Sequence, residues 1–181
     1  MSFTHKAVYG TTGSGKSWLL KRRAAALRKH RQIVIVLNPT GEPGWAKGCK
    51  MAYDVDQLET MLNDPANKGA FVLIDEAADL CEDIKPKVHE TCFRLFRKGR
   101  HRGFTCYIAT QFPTGIWPRI RRNCRELYCF ALPDEVSARQ VWKDYGMKSI
   151  DGKPLWEIIL NLPPLLCVHV KQPNVVEYIE L

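Results

Sequence analysis

The sequence predicts an α/β fold: a mainly parallel sheet flanked by helices, with a C-terminal β-hairpin. Ile33-Val34-Ile35-Val36-Leu37 and Ala70-Phe71-Val72-Leu73-Ile74 are unbroken apolar runs rich in β-branched residues, the pattern of strands covered on both faces. Segments of helical periodicity alternate with them, the order of a sheet layered by helices. A third observation is Gly10-Thr11-Thr12-Gly13-Ser14-Gly15-Lys16-Ser17, which lies between a short apolar stretch, Ala7-Val8-Tyr9, and a helical run from Trp18 to Leu27.

That stretch fits G-x-x-x-x-G-K-[ST], the Walker A loop, and its flanks supply the strand–loop–helix order the motif requires. Gly10, Gly13 and Gly15 permit backbone conformations that turn successive N–H groups toward one anion. Phosphate then sits at a helix N-terminus, with Trp18 opening the run behind the loop. Lys16 is expected to meet the β- and γ-phosphates, and Ser17 to offer a hydroxyl to Mg²⁺. The fold class is therefore α/β of the P-loop NTPase type.

Taken in order, His5 to Tyr9 reads as the first strand and Lys16 to Lys29 as the helix behind the loop. Strand 33–37 ends in Asn38-Pro39-Thr40-Gly41-Glu42-Pro43-Gly44, rich in breakers. A short strand is expected near Lys50 to Tyr53, then a helix from Asp54 to Leu62 with Val55, Leu58, Met61 and Leu62 on one face. Strand 70–74 runs into Asp75-Glu76. A linker that includes Pro86 leads to a helix over 87–98, with Val88, Cys92, Leu95 and Phe96 sharing a face. Phe104 to Thr110 and Leu127 to Phe130 read as strands, and Asp134 to Tyr145 as a helix capped by Asp134 and followed by Gly146. Residues 165–170 and 175–179 flank Gln172-Pro173-Asn174 as a hairpin. One domain over 1–181 is expected, with a core of 5–145 and an extension carrying the hairpin over 150–181.

The chemistry gathers where strands end. Phe71-Val72-Leu73-Ile74-Asp75-Glu76 has the form of Walker B, and an acid at the carboxyl end of a buried strand faces the ligand crevice of such a sheet. Asp75 is expected to hold Mg²⁺, and Glu76 to orient or deprotonate an attacking water. The second acid tilts the reading from phosphate transfer toward hydrolysis of ATP. Gln111, ending Tyr107-Ile108-Ala109-Thr110-Gln111, brings an amide toward the same crevice.

Walker A, the Asp-Glu Walker B, Phe96-Arg97-Lys98-Gly99-Arg100-His101-Arg102-Gly103, Ile108-Ala109-Thr110-Gln111, Arg121-Arg122-Asn123 and the terminal hairpin occur in that order. In this the chain resembles the FtsK–HerA superfamily of P-loop ATPases, and within it the genome-packaging ATPases of membrane-containing icosahedral viruses. The resemblance implies ATP and Mg²⁺ as ligands, double-stranded DNA as a partner, and a ring, commonly a hexamer. It implies a motor that packages DNA into a preformed capsid, with vertex, portal or membrane-associated viral proteins nearby, in the infected cell's cytoplasm or at the virion's packaging vertex. It also implies an arginine finger reaching a neighbour's site. Arg100, in the Gly-Arg turn, is the first candidate, with Arg102, Arg121 and Arg122 as fallbacks. Lys85 and Lys87 are candidate DNA contacts from position and charge.

Composition agrees. The net charge is +8, concentrated near residues 22–31, 94–102 and 119–125, which suits solvated helix faces and a nucleic-acid surface alike. No apolar run approaches the roughly 20 residues of a membrane span, so a soluble intracellular protein is expected. The seven cysteines are odd in number and show no C-x-x-C spacing, and read as reduced thiols. Two other readings remain: a nucleotide-dependent assembly or switch ATPase, and a small-molecule kinase.

Overall fold

A computed structural model describes residues 4–77, 86–171 and 175–181. Among these, the apolar runs form an eight-stranded sheet. Its strands are β1 (His5–Tyr9), β2 (Val34–Leu37), β3 (Lys50–Ala52), β4 (Phe71–Ile74), β5 (Thr105–Thr110), β6 (Cys124–Cys129), β9 (Leu166–Lys171) and β10 (Val175–Glu180). The order across the sheet is β10-β9-β6-β1-β5-β4-β2-β3. Strands β3, β2, β4, β5, β1 and β6 pair in parallel, and the hairpin joins antiparallel at β6. The expected fold is therefore the observed one. A separate two-stranded ribbon pairs β7 (Ser149–Ile150) with β8 (Lys153–Pro154).

Alternate residues of each strand point to opposite faces, and the two faces are covered unequally. Val8, Val36, Leu73, Tyr107 and Tyr128 face α1 (Lys16–Lys29), which contributes Leu19, Leu20 and Ala24. Tyr9, Leu37, Val72, Ile108 and Leu127 face α2 (Val55–Asn63), α3 (Pro86–Lys98), α4 (Pro118–Arg121), α5 (Glu135–Asp144) and α6 (Leu155–Leu160). Asp54 caps α2 by accepting from Gln57 N–H at 2.8 Å, and Asp134 caps α5 by accepting from Ser137 N–H at 2.8 Å.

Among the described residues, the short helices α4 and α6 and the β7–β8 ribbon have no counterpart in the sequence reading. Each is too short to show a period. Strand β6 also begins three residues before the expected Leu127. Its first half is Cys124-Arg125-Glu126, and Glu126 is a buried carboxylate that breaks the apolar run.

Glu126 is buried because it is paired. It meets Lys6 Nζ of β1 at 2.7 Å, His169 Nε2 of β9 at 2.9 Å and the Tyr128 hydroxyl at 3.0 Å. His169 meets Glu177 of β10 at 2.6 Å and stacks on the Tyr128 ring, centroids 4.3 Å apart. Arg23 of α1 donates to the Tyr128 hydroxyl at 3.1 Å. Burial opposes charge on both central groups, but the hydrogen bonds outweigh it. The Glu126 carboxyl is held down at about 2, and the His169 imidazole is raised above its ordinary value.

A carboxyl depressed in the fold stabilises it fully above its unfolded value, near 4.5, and loses that contribution as pH falls toward 2. A raised histidine contributes fully below 6.5 and loses its share as pH rises through its folded value. Stability should thus decline on both sides. In urea denaturation at stepped pH, Glu126→Gln is expected to flatten the acid limb; an unchanged limb would remove Glu126 from it.

Candidate active site

Strand β1 lies between β5 and β6, and the loop from its carboxyl end starts in the middle of the sheet. Gly10 N–H donates to Thr110 O at 3.3 Å and Thr11 N–H to Ala131 O at 2.9 Å, which anchors the loop on both neighbouring strand ends. Gly13 and Gly15 adopt left-handed φ of +73° and +111°, conformations costly for residues with a Cβ. A Cβ on Gly15 would also stand 2.8 Å from Leu181 Cδ1 and 3.3 Å from Phe130 Cε1. Gly15 caps α1 without a side-chain acceptor, so the N–H groups of the first turn point at the loop with the positive end of the helix dipole.

Lys16 is not the mobile side chain its length suggests. It is buried, and its ammonium donates to Thr11 O at 2.9 Å. Burial lowers its pKa, while the charges of Glu76 and Asp75 work against that. Asp75 follows β4 and is 3% exposed, hydrogen-bonded to the Ser17 hydroxyl. Burial raises its pKa; the charge of Glu42 adds to this, while the bonds from Ser17 and Glu76 N–H and the charge of Lys16 oppose it. Glu42 comes from the loop after β2, where its carboxylate meets Lys21 Nζ at 2.7 Å. Nothing in the local sequence around Glu42 marked it as part of the site.

A hydroxyl beside buried carboxylate oxygen, with a second carboxylate near enough to raise its pKa, is a hard-oxygen donor set. Mg²⁺ fits such a set: it takes one or two protein oxygens and completes its shell with water and phosphate. Ser17 and Asp75 are the residues that would hold it.

Glu76 takes a left-handed φ of +50°. The next residue, Ala77, donates its N–H to Ala109 O at 2.8 Å, locking the turn onto β5. Gln111, just past β5, accepts from the Thr12 hydroxyl at 2.7 Å and turns its amide nitrogen to both Glu76 oxygens, at 3.4 and 3.5 Å. Three residues from three strand ends thus form one chain over the groove, which Thr12, Gly13, Gly15, Lys16, Ser17 and Glu76 line.

The arginines are placed elsewhere. Gly99–Arg102 forms a 3₁₀ turn feeding the amino end of β5, and Arg122 precedes the amino end of β6. Both segments therefore lie at the sheet edge opposite the Walker loop, about 20 Å away at ~3.3 Å per residue of β5. The Arg102 guanidinium lies 5.4 Å from the Phe104 ring, and Arg122 is exposed. The position of Arg100 is described, its side chain is not. Arg121 requires a correction. It is 6% exposed, binds Asp144 at 2.6 Å and donates to the carbonyls of Pro113 and Ile116. Its charge is spent inside the fold, so it is not available to a neighbouring chain. Lys85 lies outside the described residues; Lys87 stands in the first turn of α3, its side chain likewise not described.

A parallel sheet with Walker A in its centre and Asp-Glu on a strand two places away defines a P-loop NTPase. Over residues 1–89 the chain matches the DUF87 family model, the helicase HerA central domain. It is 24% identical to Protein P9 of Pseudoalteromonas phage PM2 over 186 residues, covering 85% of this chain and 80% of that protein. To the DNA translocase FtsK of Vibrio vulnificus it is 29% identical over 132 residues, 70% of this chain but only 12% of FtsK. The genome packaging NTPase B204 of Sulfolobus turreted icosahedral virus 2, solved with AMPPCP, superposes with a TM-score of 0.76 at 17% identity over 98% of both chains.

Proposed function

We propose that this chain hydrolyses ATP and couples hydrolysis to movement of double-stranded DNA, as the motor that packages a viral genome into a preformed capsid. The observation that carries hydrolysis is the Thr12–Gln111–Glu76 chain above the Walker loop. A carboxylate held by an amide above the phosphate loop supports attack by water on the γ-phosphate, for which no acceptor substrate is needed. Backbone N–H groups of Gly13 to Ser17 and the Lys16 ammonium take the phosphates, and Ser17 and Asp75 would hold a Mg²⁺ that supplies further neutralising charge. Glu76 accepts the water's proton, and Gln111 reports the state of the γ-phosphate to β5 and the segment after it.

DNA coupling is supported by the +8 charge, by the likeness to FtsK, and by the end-to-end match to a genome packaging NTPase. The distance of the arginine turns from this chain's own loop supports completion of each site by a neighbour, with Arg100 first and Arg102 or Arg122 behind it. The ring, the hexamer, the capsid vertex and the location in the infected cell belong to the same reading.

ATPase rate per subunit, measured against protein concentration with and without duplex DNA, tests it. The rate is expected to rise with concentration and with DNA, the stimulation falling steeply with salt. A rate flat in both would overturn the motor reading.

A further inference from the structure

Three apolar side chains from distant parts of the chain line the groove beside Gly15. Trp18 comes from the first turn of α1, and Leu165 and Leu181 from the two outer ends of the β9–β10 hairpin. They share a groove of about 560 Å³ with the Walker loop. Leu181 N–H donates to Leu165 O at 3.0 Å, extending the hairpin's pairing past both strands. Leu181 Cδ1 and Leu165 Cδ2 lie 2.8 and 3.5 Å from where a Gly15 Cβ would stand.

Two features set the trio apart from ordinary core. Trp18 and Leu165 remain 46% and 48% exposed. Leu165 also holds a left-handed φ of +63°, a conformation that is strained for a residue with a Cβ. The fold thus keeps a strained, exposed leucine next to the anion loop. The hairpin that carries it is fixed from beneath by the Glu126–His169–Glu177 chain.

A nucleotide whose triphosphate fills the Walker loop must leave its sugar and base at the loop's mouth, and this mouth is apolar. A nucleobase offers flat faces of little polarity, which pack against aromatic and aliphatic side chains. We propose that Leu165 and Leu181, together with Trp18, form the seat of the nucleobase, so that the terminal hairpin is part of the nucleotide site. This rests on Gly10–Ser17 binding a nucleoside triphosphate.

The test compares two ligands on the full chain in the presence of Mg²⁺: ATP, and inorganic tripolyphosphate, which has no base. The wild type is expected to bind ATP the more tightly. The double variant Leu165→Ala/Leu181→Ala is expected to lose about tenfold in ATP affinity and to keep its tripolyphosphate affinity, which also reports an intact fold. ATP, but not tripolyphosphate, is expected to change the tryptophan fluorescence, and Trp18→Phe to abolish that change. Equal losses for both ligands, an unchanged ATP affinity, or a variant altered only in oligomeric state would overturn the base seat. A wild type that binds neither ligand would overturn the phosphate-loop reading itself, and this one with it.

Discussion

Glu76→Gln is expected to leave ATP binding intact and to slow single-turnover hydrolysis by about 10²–10⁴-fold, the range for loss of a positioned general base. The substitution isolates basicity from placement. Glutamine has the shape of glutamate, and the backbone that aims residue 76 is held independently, by Ala77 N–H on Ala109 O and by Glu76 N–H on Asp75 Oδ1 at 3.2 Å. The left-handed backbone at Glu76 is of the kind that persists where surrounding bonds over-determine it, commonly at functional sites. Retention of ATP binding with loss of the chemical step would assign proton acceptance to Glu76. Hydrolysis at the wild-type rate would place the base elsewhere, and Gln111 would lose its partner in the mechanism.

Arg121→Ala is expected to lower stability by about 3–5 kcal/mol, the cost of removing one member of a buried ion pair. The variant removes the Arg121 guanidinium from the Asp144 carboxylate, which Gln140 Nε2 also meets at 3.0 Å. It also strips a donor from the carbonyls of Pro113 and Ile116. In a domain of this size the melting temperature should fall by about 10 °C. Arg122→Ala, one residue along and exposed, should stay within about 0.5 kcal/mol of wild type. Thermal unfolding of the two variants side by side makes the comparison. An Arg121→Ala protein as stable as wild type, but inactive when mixed with wild-type subunits, would restore Arg121 as a finger.

The two arginines show where sequence reading runs out. Both stand in Arg121-Arg122-Asn123, and nothing local separates them. Only the fold brings Asp144, 23 residues on, and the 113–116 turn around one of them. Long-range pairing likewise hid Glu126 and His169, whose charges look like surface residues until the hairpin closes over them. Glu42 entered the site through a loop whose glycines and prolines announce only a turn. The parallel strands were legible because double-sided burial writes itself as continuous apolar runs. The Walker residues were legible because phosphate binding demands fixed spacing within one loop. Asp75, Glu76 and Gln111 were legible for a third reason, since the residues just past a strand's carboxyl end are placed by the strand itself.

The Walker loop and the arginine-bearing turns occupy opposite edges of one sheet. A subunit that lent an arginine from the amino edge to a neighbour's loop would leave its own loop open to a third subunit. Such a contact joins unlike surfaces and has a direction. A two-fold dimer completes both of its sites only if the two sheets run antiparallel across the axis, so that each amino edge meets the other's carboxyl edge. A closed ring can complete every site, while an open filament leaves one incomplete. The separation of two features within a single chain therefore constrains how neighbouring sheets must be oriented in any assembly that completes its sites in this way.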